Sequence, residues 1–407
     1  MVDRVGQFWV GLIFAIIVIN LIFLVKILDV TWGYSEPNVI TADGYIRGSD
    51  FIALWPALNL AVGGEAELAY DKTAIQTVQH QLTGIDTRAD RRFLHPPTYL
   101  FMLFPLGELS YFTALAAWQL LPLLGFLLVM SRMGIPWALF FLLPLSGAVV
   151  QNIAAGQNGS LSAFFLAGAL LTLERRPIVA GVLFGLMTFK PQLALLIAPT
   201  LLFGRHWRAL IVLAVTVLVG IVMSIAAFGI EPWVAFFRNL FFAQEQLAQG
   251  HLPWHRIPSA FVAARMIGLD TAIAQAVQGV IAVGAFAGVA WTWWRPIRFH
   301  LKAALLVAAM PLATPWIHDY DLVILLVPMA WLILDADREQ IRTLEIAILA
   351  LVWIFPVVWV NELLPVEGIP YGFFLLLAFY GIIMCRILRF GQPARHRAAQ
   401  ACADQSL

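Results

Sequence analysis

The stretch Gln151-Asn152-Ile153-Ala154-Ala155-Gly156-Gln157-Asn158 decides the reading of this chain, because it sets amide side chains and a glycine between two apolar arms. The arms run over about 136–153 and 159–173, and basic residues close their outer ends, Arg132 on one side and Arg175 and Arg176 on the other. Lys190-Pro191-Gln192 repeats the layout between 177–189 and 191–203, with Arg205 and Arg208 beyond. His318-Asp319-Tyr320-Asp321 repeats it again between 301–314 and 319–334, bounded by Arg295, Arg298 and Lys302 before and by Arg338 and Arg342 after. Cytoplasmic loops collect Lys and Arg, so each pair of arms leaves the cytoplasmic side and returns to it. The three polar apices then share the non-cytoplasmic side. Polar and ionisable groups are costly at that depth and mark sites or pathways. The pattern therefore predicts one polar site near the outer membrane surface.

Composition agrees with a membrane setting. Of 407 residues, 61% are hydrophobic and only 12% charged, against about half and a quarter in an ordinary soluble domain. Mean hydropathy is +0.85, and a net charge of +1 points to no nucleic-acid or other polyionic partner. Two cysteines, Cys385 and Cys402, give neither a disulfide framework nor a metal-binding spacing. The apolar run 8–28 is long enough to span, lacks a small-residue cleavage site after it, and reads as the first membrane helix.

Marking apolar runs predicts an all-α polytopic membrane protein with about twelve transmembrane segments. They fall near 8–28, 111–130, 136–153, 159–173, 177–189, 191–203, 209–228, 270–293, 301–314, 319–334, 342–360 and 370–388. The short outer loops at 154–158, 315–318 and 361–369 carry no Lys or Arg, which places both termini inside. One integral-membrane domain, 1–390, is expected, followed by a disordered cytoplasmic tail, 391–407. A long first outer segment, 30–110, holds Asp43, Asp50, Asp71, Asp86 and Asp90 and two short helices, Phe51 to Val62 and Thr73 to Gln81. The first of these is too apolar for water and too short to span, so it is expected to lie in the interface. A second outer segment, 229–269, contains a helix to about Gln249 and the loop from His251 to Arg256. Trp233, Trp254, Trp316 and Trp359 are expected to form an interfacial belt.

The motifs, in order, are similar to those of the family 87 glycosyltransferases. They are Gly48-Ser49-Asp50-Phe51 after the first helix, Gly63-Gly64, Tyr70-Asp71, His95-Pro96-Pro97, Gly156-Gln157-Asn158, Lys190-Pro191-Gln192 and His318-Asp319-Tyr320. The resemblance covers nearly the whole chain, and the ordered set is more specific than any one motif. It implies the GT-C architecture, a multi-spanning helical bundle with a long first outer loop. It also implies transfer of a sugar, mannose or pentose-like, from a polyprenyl-monophosphate carrier to a lipid or glycan acceptor outside the cytoplasm, on the cytoplasmic (inner) membrane. In such enzymes the base is a carboxylate early in the first outer loop, which is the place of Asp50, with Asp43 its nearest competitor.

Each candidate also has a plainer role. Asp50 precedes an apolar helix, and an Asp there suits an N-cap. Lys190 follows an arm of 13 residues, about 20 Å of helix against a core of about 30 Å. At that depth it either holds a donor phosphate as a point charge or snorkels to the headgroups. His318 and Tyr320 are expected near the donor phosphate, and Asp321 is expected to cap the helix after it. Gln157, Asn158 and Gln192 suit sugar hydroxyls or phosphate oxygens, and equally suit hydrogen bonds between helices. His95 sits in a rigid entry to the second helix, made by Pro96 and Pro97, and is a further donor contact. The local spacing of His318, Asp319 and Asp321 does not by itself make a metal site, so no obligatory metal and no cofactor is expected. Two other functions fit parts of the pattern: a transporter or flippase, which also uses broken helices but shows paired halves that this chain lacks, and a lipid-to-polymer ligase.

Overall fold

The computed structural model describes residues 18, 20–22, 24–25, 39–40, 46–84, 91–336, 341–360 and 369–391. Most of the expected first membrane helix, Asp43, Asp86, Asp90, Arg338, the loop 361–368 and the tail from 392 lie outside the described residues. Among those described the fold is all helical, with one isolated bridge between Ile40 and Ile46.

Among the described residues, four helices are long and apolar enough to cross a membrane: Tyr111–Ser131, Trp207–Phe228, Thr271–Trp294 and Tyr371–Phe390. Their sides expose rows of large apolar residues such as Leu120, Leu121, Leu124 and Leu128. A helix satisfies its own backbone, which is what permits such exposure to lipid. Six shorter apolar helices pack among them. Small residues set the closest approach. Gly181 and Gly185 lie four apart on Pro177–Leu186, and a Cβ on either would meet Trp207–Phe228, at 2.6 Å from the Ala209 carbonyl and from Thr216 Cβ respectively. Small residues four apart let two membrane helices approach in this way.

The arms differ from simple spans in an instructive manner. The expected segment 136–153 is broken into Trp137–Phe140, Leu143–Leu145 and Gly147–Ala155, with Ser146 capping the last piece through Val149 N–H. Pro144 explains the first break, since it removes a backbone donor, and the Ser146 cap starts the last piece. The arm after Lys190 divides into Pro191–Ala194 and Ile197–Phe203, and the arm after His318 begins as a 3₁₀ helix, Asp319–Leu325, before Leu326–Ala336.

Phe51–Val62, expected in the interface, is covered by protein: Phe51, Ile52, Leu54, Trp55, Ala57, Leu58 and Ala61 are buried. The first outer segment folds over it, through the 3₁₀ turn Ala66–Tyr70, the helix Lys72–Thr83 and the turn Phe104–Glu108. Gln79, fully buried, donates to the Ile52 carbonyl at 3.0 Å, and Trp55 donates to the Leu109 carbonyl at 3.1 Å. Covering so apolar a helix removes surface worth about 25 cal/mol per Å² if water would otherwise reach it. The second expected helix is present as Lys72–Thr83, capped by Asp71 accepting from Ala74 N–H at 2.8 Å.

Candidate active site

Asp50 is presented by a strained turn. Gly48 has φ 76° and Ser49 has φ 39°, a left-handed value rare outside glycine. Arg91 holds the turn by donating to the Ser49 carbonyl at 2.7 Å. Asp50 N–H donates to the Ala155 carbonyl at 2.9 Å, so the turn is tied directly to the first apex. Gly156, φ 64°, makes this contact possible, because a Cβ there would stand 2.2 Å from the Gly48 carbonyl oxygen.

The Asp50 carboxylate does not cap the helix it precedes. Instead it accepts from Gln157 Nε2 at 3.1 Å and lies 3.7 Å from Arg91 Nη1, with the side chain one third exposed. The cap role that the sequence allows is therefore replaced by a carboxylate held from two sides and open on another. Gln157 is itself positioned by a layer below. Gln119 donates to the Gln157 carbonyl at 3.1 Å, Trp118 to the Gly156 carbonyl at 3.0 Å, and Asn152 links Gln119 and Ser160 at 3.1 Å each.

The other two apices meet beside it. Gly159 abuts the Tyr320 backbone so closely that a Cβ would clash with its carbonyl. Lys190 is 3% exposed, so it does not snorkel; its ammonium donates to Asp321 and lies 5.0 Å from the Tyr320 ring centre. Asp321 also accepts from the His318 N–H at 3.1 Å, which fixes the entry to the 3₁₀ helix as the expected capping role requires. The His318 ring stacks on Tyr320 with centroids 5.1 Å apart and planes within 11°. Asp319, 2% exposed, receives Arg256 in a two-pronged pair, Nε at 3.0 Å and Nη2 at 3.1 Å.

His95 and Asn158 form a third group. Asn158 Nδ2 lies 3.4 Å from His95 Nε2 and 3.3 Å from the Tyr99 hydroxyl, and its Oδ1 is buried without a partner among the described residues. Burial, and next the nearby Lys190 charge, hold the His95 imidazole down at about 3 against its bond to the Phe189 backbone. His95 is thus a neutral strut between the outer segment and the Lys190 arm. Gln192, half-buried on Pro191–Ala194, is not drawn into these contacts.

Charge couples the groups into one site. Burial lowers the His318 imidazole to about 4; Asp321 and Asp50 pull it up, while Arg256 and Lys190 push it down. Burial alone would lower Arg256, but Asp319 outweighs it and the guanidinium is raised, with Asp50 and Tyr320 contributing. Neither Arg256 nor Arg91 is among the residues that the motifs single out. The one available signal for Arg256 is its place in an outer loop, on the side where the short loops carry no basic residue. Trp233 and Trp254, expected in a belt, are bonded inward, to Ser224 Oγ at 3.1 Å and the Leu247 carbonyl at 3.0 Å.

An apolar cavity of about 340 Å³ lies farther along the same arm, lined by Leu139, Leu143, Met329, Ile333, Leu349 and Trp353. Its lining carries no ionisable group.

The profile of glycosyltransferase family 87 matches residues 93–315, more than half of the chain. The chain belongs to that family, and it is a membrane glycosyltransferase in the general sense. The matched span contains His95, Gln157, Asn158, Lys190, Gln192 and Arg256, while Asp50, His318 and Tyr320 flank it. A transporter is not favoured by this membership. Comparison with curated proteins and with solved structures gave no match.

Proposed function

We propose that this protein transfers a sugar from a polyprenyl-monophosphate carrier to a lipid or glycan acceptor, at the non-cytoplasmic face of the cytoplasmic membrane, with Asp50 as general base. The observation that carries the reading is the Asp50 carboxylate itself, bound by Gln157 and faced by Arg91 yet one third exposed and free of the helix cap. A carboxylate so held can take the proton from an acceptor hydroxyl as that oxygen attacks the anomeric carbon. The anomeric carbon–oxygen bond to phosphate breaks, polyprenyl phosphate leaves with the electron pair, and a single displacement inverts the anomeric centre. The sugar is activated by its phosphate, so no nucleotide or cofactor is required.

The phosphate belongs on the opposite wall. Asp319 fixes the guanidinium of Arg256 through Nε and Nη2, which leaves the donors on Nη1 for an anion. His318 sets a half-buried imidazole flat against Tyr320, and Lys190 backs the wall through Asp321 and Tyr320. Gln157, Asn158, Gln192 and His95 shape the space for the sugar. The apolar cavity suits a stretch of the polyprenyl chain: Met329 follows Tyr320 by nine residues, roughly 16 Å of helix.

The test is direct. Purified protein is incubated with radiolabelled polyprenyl-phosphate sugars and a total membrane-lipid extract. Label in a new lipid or glycan, dependent on Asp50, supports the reading. Movement of the labelled donor across a vesicle without transfer would replace it with transport.

A further inference from the structure

The Glu231–Ala248 helix carries three separate stripes. Pro232, Phe236, Ala243 and Leu247 are buried against the protein. Glu231, Arg238 and Glu245, seven residues apart, form an exposed charged stripe. Between these two lies a third: Ile230 just before the helix, then Val234, Phe237 and Phe241, spaced four, three and four apart and 50%, 45%, 55% and 77% exposed. Spacing of this kind puts them on one face. A row of four large apolar residues, two of them phenylalanines, is not a surface that water tolerates without a reason.

The same kind of row runs along the preceding membrane-spanning helix. Trp207–Phe228 exposes Ile211, Val215, Leu218 and Val222, again spaced four, three and four apart. Only Gly229, with φ 81°, and Ile230 separate the two helices, so the apolar row of the span is followed at once along the chain by the apolar stripe of the next helix. Trp233 marks the junction, its indole bonded to Ser224 near the end of the span. An apolar face beside a charged one is the pattern of a helix lying in a bilayer surface.

We propose that Glu231–Ala248 lies along the headgroup layer of the leaflet on the site's side of the membrane, with Val234, Phe237 and Phe241 dipping among the acyl chains and the charged stripe, about 65° further round the helix, at the level of the headgroups and water. Its partner is the phospholipid bilayer surface, whatever reaction the site performs. The placement has a consequence for the site. The inner face of the helix holds the first outer segment, through Asn239 donating to the Tyr70 carbonyl at 2.9 Å and Phe236 packing on Tyr70 with ring centres 6.3 Å apart. Its C-terminus leads within eight residues to Arg256. The bilayer surface thereby sets the depth at which Arg256 is delivered to Asp319.

Two exposed positions test this in the full-length protein, with Cys385 and Cys402 replaced by alanine. Phe241→Cys and Arg238→Cys variants are labelled with an environment-sensitive fluorophore and reconstituted in phosphatidylcholine vesicles containing lipid-borne quenchers. The Phe241 label should be blue-shifted, quenched several-fold more by the lipid quencher than the Arg238 label, and shielded from iodide; the Arg238 label should be open to iodide. Both sites face outward, so gel filtration and thermal melting matching the unlabelled protein will show that the fold is kept. Equal iodide access at the two positions would overturn the proposal. So would self-quenching of the Phe241 label that rises with protein density, which would make the stripe an interface between copies of this chain.

Discussion

Two clusters of charge stand on one arm of this molecule, and they are built to opposite ends. At the start of the arm, Asp319 and Asp321 are paired with Arg256 and Lys190, while Asp50 and His318 beside them keep open faces. At its end, fourteen residues past Asp321 and roughly 23 Å of helix away, Asp335 is wholly enclosed. Arg298 reaches it at 2.9 Å, His300 and Arg386 at 3.0 Å, and Arg386 continues to Glu345 at 3.0 Å. That second cluster joins Phe299–Ala309, Leu326–Ala336, Thr343–Val360 and Tyr371–Phe390. It commits both oxygens of its central carboxylate to bonds between helices. The apex cluster uses two of its carboxylates in the same way, and those two pairs orient the groups left over. Ion pairs inside a membrane protein are therefore no sign of a site by themselves; the sign is the charged group that the pairs leave exposed.

The comparison is broken most severely by removing the central carboxylates. Asp50→Asn should leave the melting temperature near that of the unmodified protein, since the cap it would have preserved is not made and the group is partly exposed. The transfer rate should fall about 10² to 10⁴, the usual contribution of a general base. Asp50→Glu should recover little, because the added methylene moves the carboxylate by about an ångström from Gln157. An Asp50→Asn protein that transfers at the normal rate would end the assignment.

Asp335→Asn should show the converse. Two guanidiniums and an imidazole would be left around an uncharged group in a buried place, and breaking such a pair costs about 3–5 kcal/mol. The expected reading is a large drop in melting temperature with the rate per folded molecule unchanged. A stable protein that is inactive would mean that the far cluster takes part in the chemistry.

A smaller effect comes from the glycines that bring the apices together. Gly156→Ala meets both a left-handed backbone and the Gly48 carbonyl at 2.2 Å. It should cost about 1–3 kcal/mol and also lower the rate, because Asp50 is pushed away from Gln157. Gly84 has nearly the same φ, 69°, with open space around it, and Gly84→Ala should cost stability alone. Equal activity losses in the two would show that strain, and not the Gly48–Gly156 contact, is what matters. Thermal melts and initial rates measured side by side decide it.

Much of this is legible in the sequence because membrane chains write their topology in charge. The arginines that bracket the arms locate the three apices, and the structure joins them through Lys190–Asp321 and the Gly159–Tyr320 contact. Hydropathy reports how apolar the segment Phe51–Val62 is, not what covers it; its cover comes from Gln79 and the Leu109 backbone, both distant in sequence. Arg91 and Arg256 carry no local signal, since each matters only for the carboxylate it faces across the fold. The interrupted arms are hidden for a similar reason: apolar runs look continuous when 3₁₀ turns and prolines divide them.

The mildest test uses the two imidazoles. His95 is held at about 3 and His318 at about 4, against 6.5 for an exposed histidine. Above pH 6.5 both are neutral in the folded and unfolded chain, so they leave stability independent of pH. As the pH falls below 6.5 the unfolded chain takes up protons that the folded one refuses, and stability declines until the folded values are reached. At pH 5 the loss is at most about 2 kcal/mol for each group, from about 1.5 pH units at about 1.4 kcal/mol per unit. Melting temperature in detergent should therefore drop between pH 7 and pH 5. His318→Gln and His95→Asn should each remove part of that drop, while Gln or Asn at these positions also tests whether a neutral hydrogen-bonding group suffices there. A pH dependence that survives both apex substitutions would move the titrating group away from the open cluster, and would undo the distinction drawn between the two clusters.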